Sequence, residues 1–349
     1  MANLFICGAG HHYATAAGTK KFKTFNDTAV QSSGGYLNSG YFNSGVAVYN
    51  RVRAVKTITP SPTNEVIWGF RWFTAQVFPL SPVYTHYLLT SLHYSATEDF
   101  NWTTTKQLTI NITNDGALEA RRGTHSGTLL GTSADNVVTN NRWLFIEFKA
   151  VIDNSAGSLI AKVNGVEVLN ISGVDTQYLA GSQVNGVEFI AWALDDLYIN
   201  DTSGSAPHNT FYGGTFHVQT LFPTADDTVA WTPSAGANWA AVDDASPDDV
   251  AWIEGTSDAQ TDLYTIETAP SGTVLTLQVN IMAVANGSGV FRIAAAVKIS
   301  GVTYLSTPVP ITTSYFDLFA VFPLNPATST AWTTAVINAA KWGVKLYKP

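Results

Sequence analysis

Apolar and polar residues alternate with a period of two along most of this chain. "EVIWGFRWF" (65–73), "QLTINIT" (107–113), "WLFIEFKAVI" (143–152) and "SLIAKVN" (158–164) show the pattern plainly. Successive side chains of a strand point to opposite faces, so each stretch predicts a strand with one apolar face. "VAVYNRVRAV" (46–55), "THYLLTSLHY" (85–94), "VEVLNIS" (166–172) and "GVEFIAWALDDLYIND" (186–201), the last taken as one strand, extend the set. Between them, Asn114-Asp115-Gly116 and Asn164-Gly165 are hairpin signals, because Asn and Gly tolerate the positive φ that tight turns require. Strands this short, separated by frequent turns, bury their apolar faces by stacking as two sheets.

A polar segment containing Gly and Pro, "TSGSAPHNTFYGG" (202–214), interrupts the pattern and predicts a domain boundary. Further strands are expected after it in "TFHVQTLFP" (215–223), "DLYTIET" (262–268), "TVLTLQVNIMAVA" (273–285), "GVFRIAAAVKIS" (289–300), "VTYLSTPVPI" (302–311), "SYFDLFAVFPL" (314–324) and "KWGVKLY" (341–347). Trp332, Val336 and Ala340 recur every four residues and predict one short helix. The expected organisation is an irregular arm over 1–44, a larger sandwich over 45–205 and a smaller one over 206–349. Within the arm, "GYLNSG" and "YFNSG" (35–45) form a brief tandem echo.

Composition sharpens this all-β reading. Of 349 residues, 46% are hydrophobic and 12% aromatic, while 13% are charged, against about 25% in an ordinary soluble chain. The net charge of −8 and the thinly spread basic residues disfavour nucleic acid as a partner; the densest basic cluster is Lys20, Lys21 and Lys23. A single cysteine, Cys7, rules out an internal disulfide framework. No apolar run approaches the ~20 residues of a membrane-spanning helix, so no membrane insertion is expected. "MANLFICGAGHH" lacks the basic start of a signal peptide, so the chain is expected to fold without secretion.

The order of Trp143, an alternating strand, an Asp153-to-Gly157 turn and a strand ending in Val163-Asn164-Gly165-Val166 resembles laminin-G-like, concanavalin-A-like jelly rolls. "LDDLYIND" (194–201) resembles the closing strand of those domains. The resemblance covers residues 45–205 and implies a jelly-roll sandwich with Trp143 capping its core. "LFPTADDTVAWTPSAGANW" (221–239) and "NPATSTAWTTAVINAAKWGVKL" (325–346) resemble the smaller sandwiches that follow such jelly rolls in tailed-bacteriophage virion proteins. The pair implies a non-enzymatic structural protein of a phage particle, on tail, fibre or capsid surface. Its expected location is the virion, its expected partners other virion proteins, and homo-oligomer or lattice contacts are expected. Two alternatives stay open: an adhesin that binds host glycans, and a glycan hydrolase.

Candidate chemistry is sparse. The paired-carboxylate spacing by which some jelly rolls cleave glycans is absent around Glu147, and adjacent Asp195 and Asp196 would face opposite sides of a strand. No catalytic residue and no cofactor are therefore assigned. Should calcium bind, its hard oxygen donors would be Asp153, Asn154 and Asp195, with "DDASPDD" (243–249) as a second acidic candidate. His11-His12 lacks the further ligands of a zinc site. Trp102, Trp231 and Trp239 lie in polar, loop-like contexts and are the candidate sugar-stacking residues.

Overall fold

A computed structural model describes residues 3–7, 24–25, 29–31, 41–43, 52–58, 62–74, 86–97, 100–101, 104–191, 193–244, 250–287 and 289–348. The chain forms two compact units, Met1–Val218 and Gln219–Pro349. The described strands of the first are β1 (Asn3–Cys7), β2 (Thr24–Phe25), β3 (Ala29–Gln31), β4 (Tyr41–Asn43), β5 (Val52–Thr57), β6 (Glu65–Phe73), β7 (His86–His93), β8 (Lys106–Thr113), β9 (Leu118–Arg122), β10 (Thr128–Thr132), β11 (Trp143–Val151), β12 (Gly157–Val163), β13 (Val166–Val174), β14 (Gly186–Ala191) and β15 (Ala193–Asp201).

They build two antiparallel sheets. The first runs β13-β12-β11-β6-β15-β4-β3, with β1 also on β15; the second runs β10-β9-β8-β7-β14-β5-β2. The unit is thus the expected concanavalin-A-like jelly-roll sandwich. Its core is aromatic: Trp68 stacks on Phe148 at 5.1 Å, and Phe70 meets Phe189 of the opposite sheet edge-on at 5.5 Å. The buried Trp68 indole N–H donates to Thr90 Oγ1 of the second sheet at 3.0 Å, satisfying a polar group that burial would otherwise leave costly.

Turn chemistry behaves as expected. Asn164 and Gly165 have φ of 50° and 82° and join β12 to β13. Two expectations change. Residues 186–201 are not one strand: β14 belongs to the second sheet and β15 to the first, so the chain changes layers between them. Trp143 does not cap the core. Its neighbour Leu144 points inward, and the alternation turns Trp143 to the outer face, 5.5 Å from Phe73.

The second unit contains β16 (Pro223–Thr228), β17 (Thr232–Pro233), β18 (Ile253–Glu254), β19 (Thr261–Ile266), β20 (Leu277–Ala283), β21 (Arg292–Ile299), β22 (Val302–Leu305), β23 (Val309–Pro310), β24 (Phe316–Phe322), α1 (Thr334–Ala339) and β25 (Lys341–Tyr347). A sheet ordered β16-β19-β25-β21-β22, with β23 also on β21, packs against the β20–β24 pair and α1 through Val297, Phe322, Trp332, Ile337 and Trp342. The expected helix is α1, capped by the Thr333 hydroxyl, which accepts from Val336 N–H at 3.3 Å. No strand forms over 215–222.

Gly69, inside β6, lies beneath the Tyr198 ring, and a Cβ there would collide with Tyr198 Cε1 while approaching Ile146 O to 3.2 Å. Gly69→Ala is therefore expected to cost about 1–3 kcal/mol by overpacking. Urea unfolding checks this, and an unchanged midpoint would contradict the close approach.

Candidate functional site

The register of the core dictates which side chains leave it. In the second sheet Phe189, Thr90, Ile110 and Ala120 lie side by side across four strands and are buried. The next position on each strand must face outward, and this produces a polar row: Glu188, Ser91, Thr109 and Arg121. Asn111 and Glu119 form a second pair beside it.

These side chains fasten two loops over the sheet. Thr109 donates to Gly123 O, Asn111 to His125 O (3.0 Å) and Arg121 to Gly127 O (2.9 Å), which pins residues 123–127. The buried Gln107 holds residues 178–183: its Oε1 accepts from the N–H groups of Tyr178 and Leu179, both at 2.8 Å. Its Nε2 donates to Gly181 O (2.9 Å) and Gln183 O (3.2 Å). One side chain thereby uses its full hydrogen-bonding capacity on a single loop. The two loops meet where Tyr178 lies over Gly123. Gly123 has φ +79°, and a Cβ on it would stand 2.7 Å from the Tyr178 ring. Tyr178 is 53% exposed, with His125 and Ser126 exposed on the facing loop.

Deeper on the same face, Ser91 Oγ is 2.9 Å from His93 Nε2, which is 3.0 Å from Glu188 Oε2; Lys106 Nζ reaches Glu188 at 3.2 Å. The residue types are those of a hydrolase relay, but the wiring is not. A relay puts the hydroxyl and the acid on different imidazole nitrogens. Here both share Nε2, Nδ1 faces Thr105 Oγ1 at 2.9 Å, and Ser91 donates directly to Glu188. With exposure of 0–2%, the cluster is a polar knot that ties β7, β8 and β14 together.

The outer face of the first sheet carries another polar group. A bulge in β15 gives Asp196 a φ of +50° and breaks the alternation. Asp195 and Asp196 therefore do not face opposite sides as expected, and His217 feels both carboxylates. Asp196 accepts from Arg71 Nε at 2.8 Å, from Val218 N at 2.8 Å and pairs with His217, while Arg71 also donates to Phe216 O. Glu147 accepts from Tyr198 OH at 2.7 Å and from Gly213 N at 2.9 Å. Residues 212–218 thus form a strap over buried charges of the first unit.

The sequence-predicted residues are dispersed. Trp102, His11, His12, residues 245–249 and the basic cluster lie outside the described residues. Trp231 is half-buried against Gly255, and Trp239 opens a short 3-10 turn with its N–H on Asp226 Oδ1 at 2.7 Å. Asp153 caps its own turn through Ser155 and Ala156 N–H groups, and these hold its carboxyl below the ordinary value. Asp195 is buried and bonds Asp196 N. The register sets Asp195 opposite Arg71, whereas Val151, before Asp153, lies opposite Glu65. Six residues of strand separate those positions, roughly 20 Å, so the expected calcium ligands do not converge. Among the described residues no cluster of three metal-ligating side chains occurs. Tyr178 was missed because sequence reasoning sought tryptophans, and its exposure depends on a glycine 55 positions earlier in the chain.

No family model matches the sequence, and no curated protein matches it significantly. Solved structures do. An alginate lyase, vAL-1 from a Chlorella virus, is 12% identical with a TM-score of 0.33, covering 52% of this chain and 90% of its own. A Bacillus subtilis protein with a galectin-like fold is 11% identical with a TM-score of 0.36, covering 58% and 96%. Lactose- and MES-liganded congerin II is 7% identical with a TM-score of 0.27, covering 42% and 97%. Alginate lyases are among these matches, so the expectation of a chain without enzymatic activity draws no support from them.

Burial raises the Glu147 pKa above its ordinary value of 4.5, outweighing the hydrogen bonds from Tyr198 and Gly213 and the attraction of Lys162. A raised folded-state value means the stabilisation is complete below about 4.5 and fades as pH climbs through the folded value. Glu147→Gln removes that dependence. Its thermal midpoint relative to the parent chain is expected to rise with pH, and a constant difference from about pH 4 to about pH 8 would contradict the assignment.

Proposed function

We propose that the first unit is a carbohydrate-recognition module that binds through residues 123–127 and 175–183. One observation carries this reading: an exposed Tyr178 ring held flat over Gly123, on two loops fastened to a rigid sheet. Sugars present apolar C–H faces that stack on aromatic rings, and their hydroxyls need nearby polar groups. His125, Ser126 and the Arg122–Asp175 ion pair supply such groups beside the ring. Loops anchored by buried side chains also lose little freedom on binding, which favours affinity.

We infer a tailed-phage particle as the setting, with other virion proteins as neighbours. The support is the resemblance of the two-sandwich order to virion proteins, carried by residues 143–166, 194–201, 221–239 and 325–346. Immunogold labelling of purified particles and the identity of flanking open reading frames test it.

The binding reading is tested on the full chain with a glycan array, followed by calorimetry on each hit. Tyr178→Ala is expected to weaken binding by about tenfold or more with an unchanged thermal midpoint. Gln107→Ala is expected to weaken it as well, by releasing the loop. A blank array, or parental affinity in Tyr178→Ala, would refute the proposal. Assaying the same glycans for new reducing or unsaturated ends reports whether recognition is coupled to cleavage.

A further inference from the structure

Of the tryptophans that are described, Trp252 alone is strongly exposed, at 45%. It immediately precedes β18, beside the two-stranded ribbon that β17 and β18 form. Thr232 pairs with Glu254 and Pro233 with Ile253, and Ser234 extends the ladder: its N–H donates to Trp252 O at 2.8 Å and its hydroxyl accepts from Trp252 N–H at 3.1 Å. Alternation then puts Trp252 and Glu254 on one face of the ribbon, about 7 Å apart, with Ser234 and Thr232 facing them across the ladder. Ile253 and Pro233 take the other face. Asn286 Nδ2 donates to Glu254 Oε1 at 2.9 Å and adds an amide to the same patch. Ser234, Thr232 and Asn286 are exposed.

The geometry points to a second glycan-binding site, in which a neutral pyranose stacks on Trp252 while Glu254 and Asn286 bind its hydroxyls. A tryptophan buried in a protein interface sits in a water-excluded apolar pocket. This one is bordered by a carboxylate, an amide and two hydroxyls, the groups that pair with vicinal diols. The indole supplies the apolar surface, and the carboxylate accepts from two adjacent hydroxyls at once. Glu254 also repels uronates and sulfated sugars, which selects for uncharged rings. The site stands on residues of the second unit alone and requires nothing from Tyr178.

The test uses the full chain and its Tyr178→Ala variant, so that failure at one site is read separately from failure at the other. The probes are oligosaccharides of glucose, galactose and mannose, their N-acetylamino counterparts, and a uronate oligomer as the charged control. At least one neutral probe is expected to bind the Tyr178→Ala chain. Trp252→Ala should weaken that probe about tenfold, with Trp252→Phe restoring most of the loss and Glu254→Gln giving an intermediate one. Trp252 is exposed, so its variants are expected to fold, and an unchanged thermal midpoint checks this for them and for Glu254→Gln. Three results would each overturn the proposal: no neutral probe binding Tyr178→Ala, parental affinity in Trp252→Ala, or a Trp252→Ala effect confined to oligomeric state.

Discussion

The first unit depends on one cross-sheet contact, the indole of Trp68 bridging from β6 to Thr90 of β7. Stacking on Phe148 fixes the ring within its own sheet, and the N–H bond at 3.0 Å fixes the register of the opposite sheet against it. A one-residue slip of a strand would exchange its two faces completely. With Thr90 inward, Ser91 is outward. With Trp68 and Phe70 inward, Gly69 and Arg71 are outward. The polar rows on both outer faces are thus consequences of the core, and the loops that ride on them inherit its rigidity.

Two of the register shifts in this unit gather ionisable groups. In β15 the left-handed Asp196 brings its carboxylate to Arg71, Val218 and His217 instead of alternating away. Between β7 and β8 the register shifts at Leu92 and His93, which lets Lys106 and His93 reach the same Glu188 carboxylate. Buried charges are tolerated only when paired and hydrogen-bonded, and an irregular backbone is how this sandwich supplies the partners.

The strands and the Asn164-Gly165 turn were legible because each rests on local signals, a period of two and residues tolerant of positive φ; α1 was legible in place only, since of Trp332, Val336 and Ala340 it contains Val336 alone. The layer change between β14 and β15 was not legible, since Phe189 to Leu194 run on as six consecutive apolar residues and no turn residue marks the crossing. Burial of the outer faces was not legible either. Every position of β8 from Lys106 to Ile112 is buried, although four of the seven are polar, because distant loops cover what a single strand pattern presents as solvent-facing. Of the candidate tryptophans, Trp231 and Trp239 were chosen for their polar neighbours in sequence. Trp252, whose neighbours include apolar Val250 and Ile253, has the exposed ring, because a two-stranded ribbon exposes one face whatever its flanking sequence.

The segment 207–218 shows how composition can mislead about connection. Polar residues, Gly and Pro describe a linker, yet Gly213, Phe216, His217 and Val218 are the partners of Glu147, Arg71 and Asp196. Tyr212 stacks on Tyr198 at 4.4 Å and Phe216 packs on Phe145 at 5.8 Å, so the strap adds an aromatic layer as well. His217 is drawn to a raised pKa by the Asp196 carboxylate, and its contribution, complete below about 6.5, declines as pH rises through the raised value. Glu147 changes in the same direction. The His217 anchor therefore holds hardest in acid, because the imidazole keeps a charge that its partner favours, whereas at Glu147 burial favours the proton while the strap's Gly213 N–H favours the carboxylate. A segment that satisfies three buried ionisable groups belongs to the unit it covers, and the first unit reaches to Val218 for that reason.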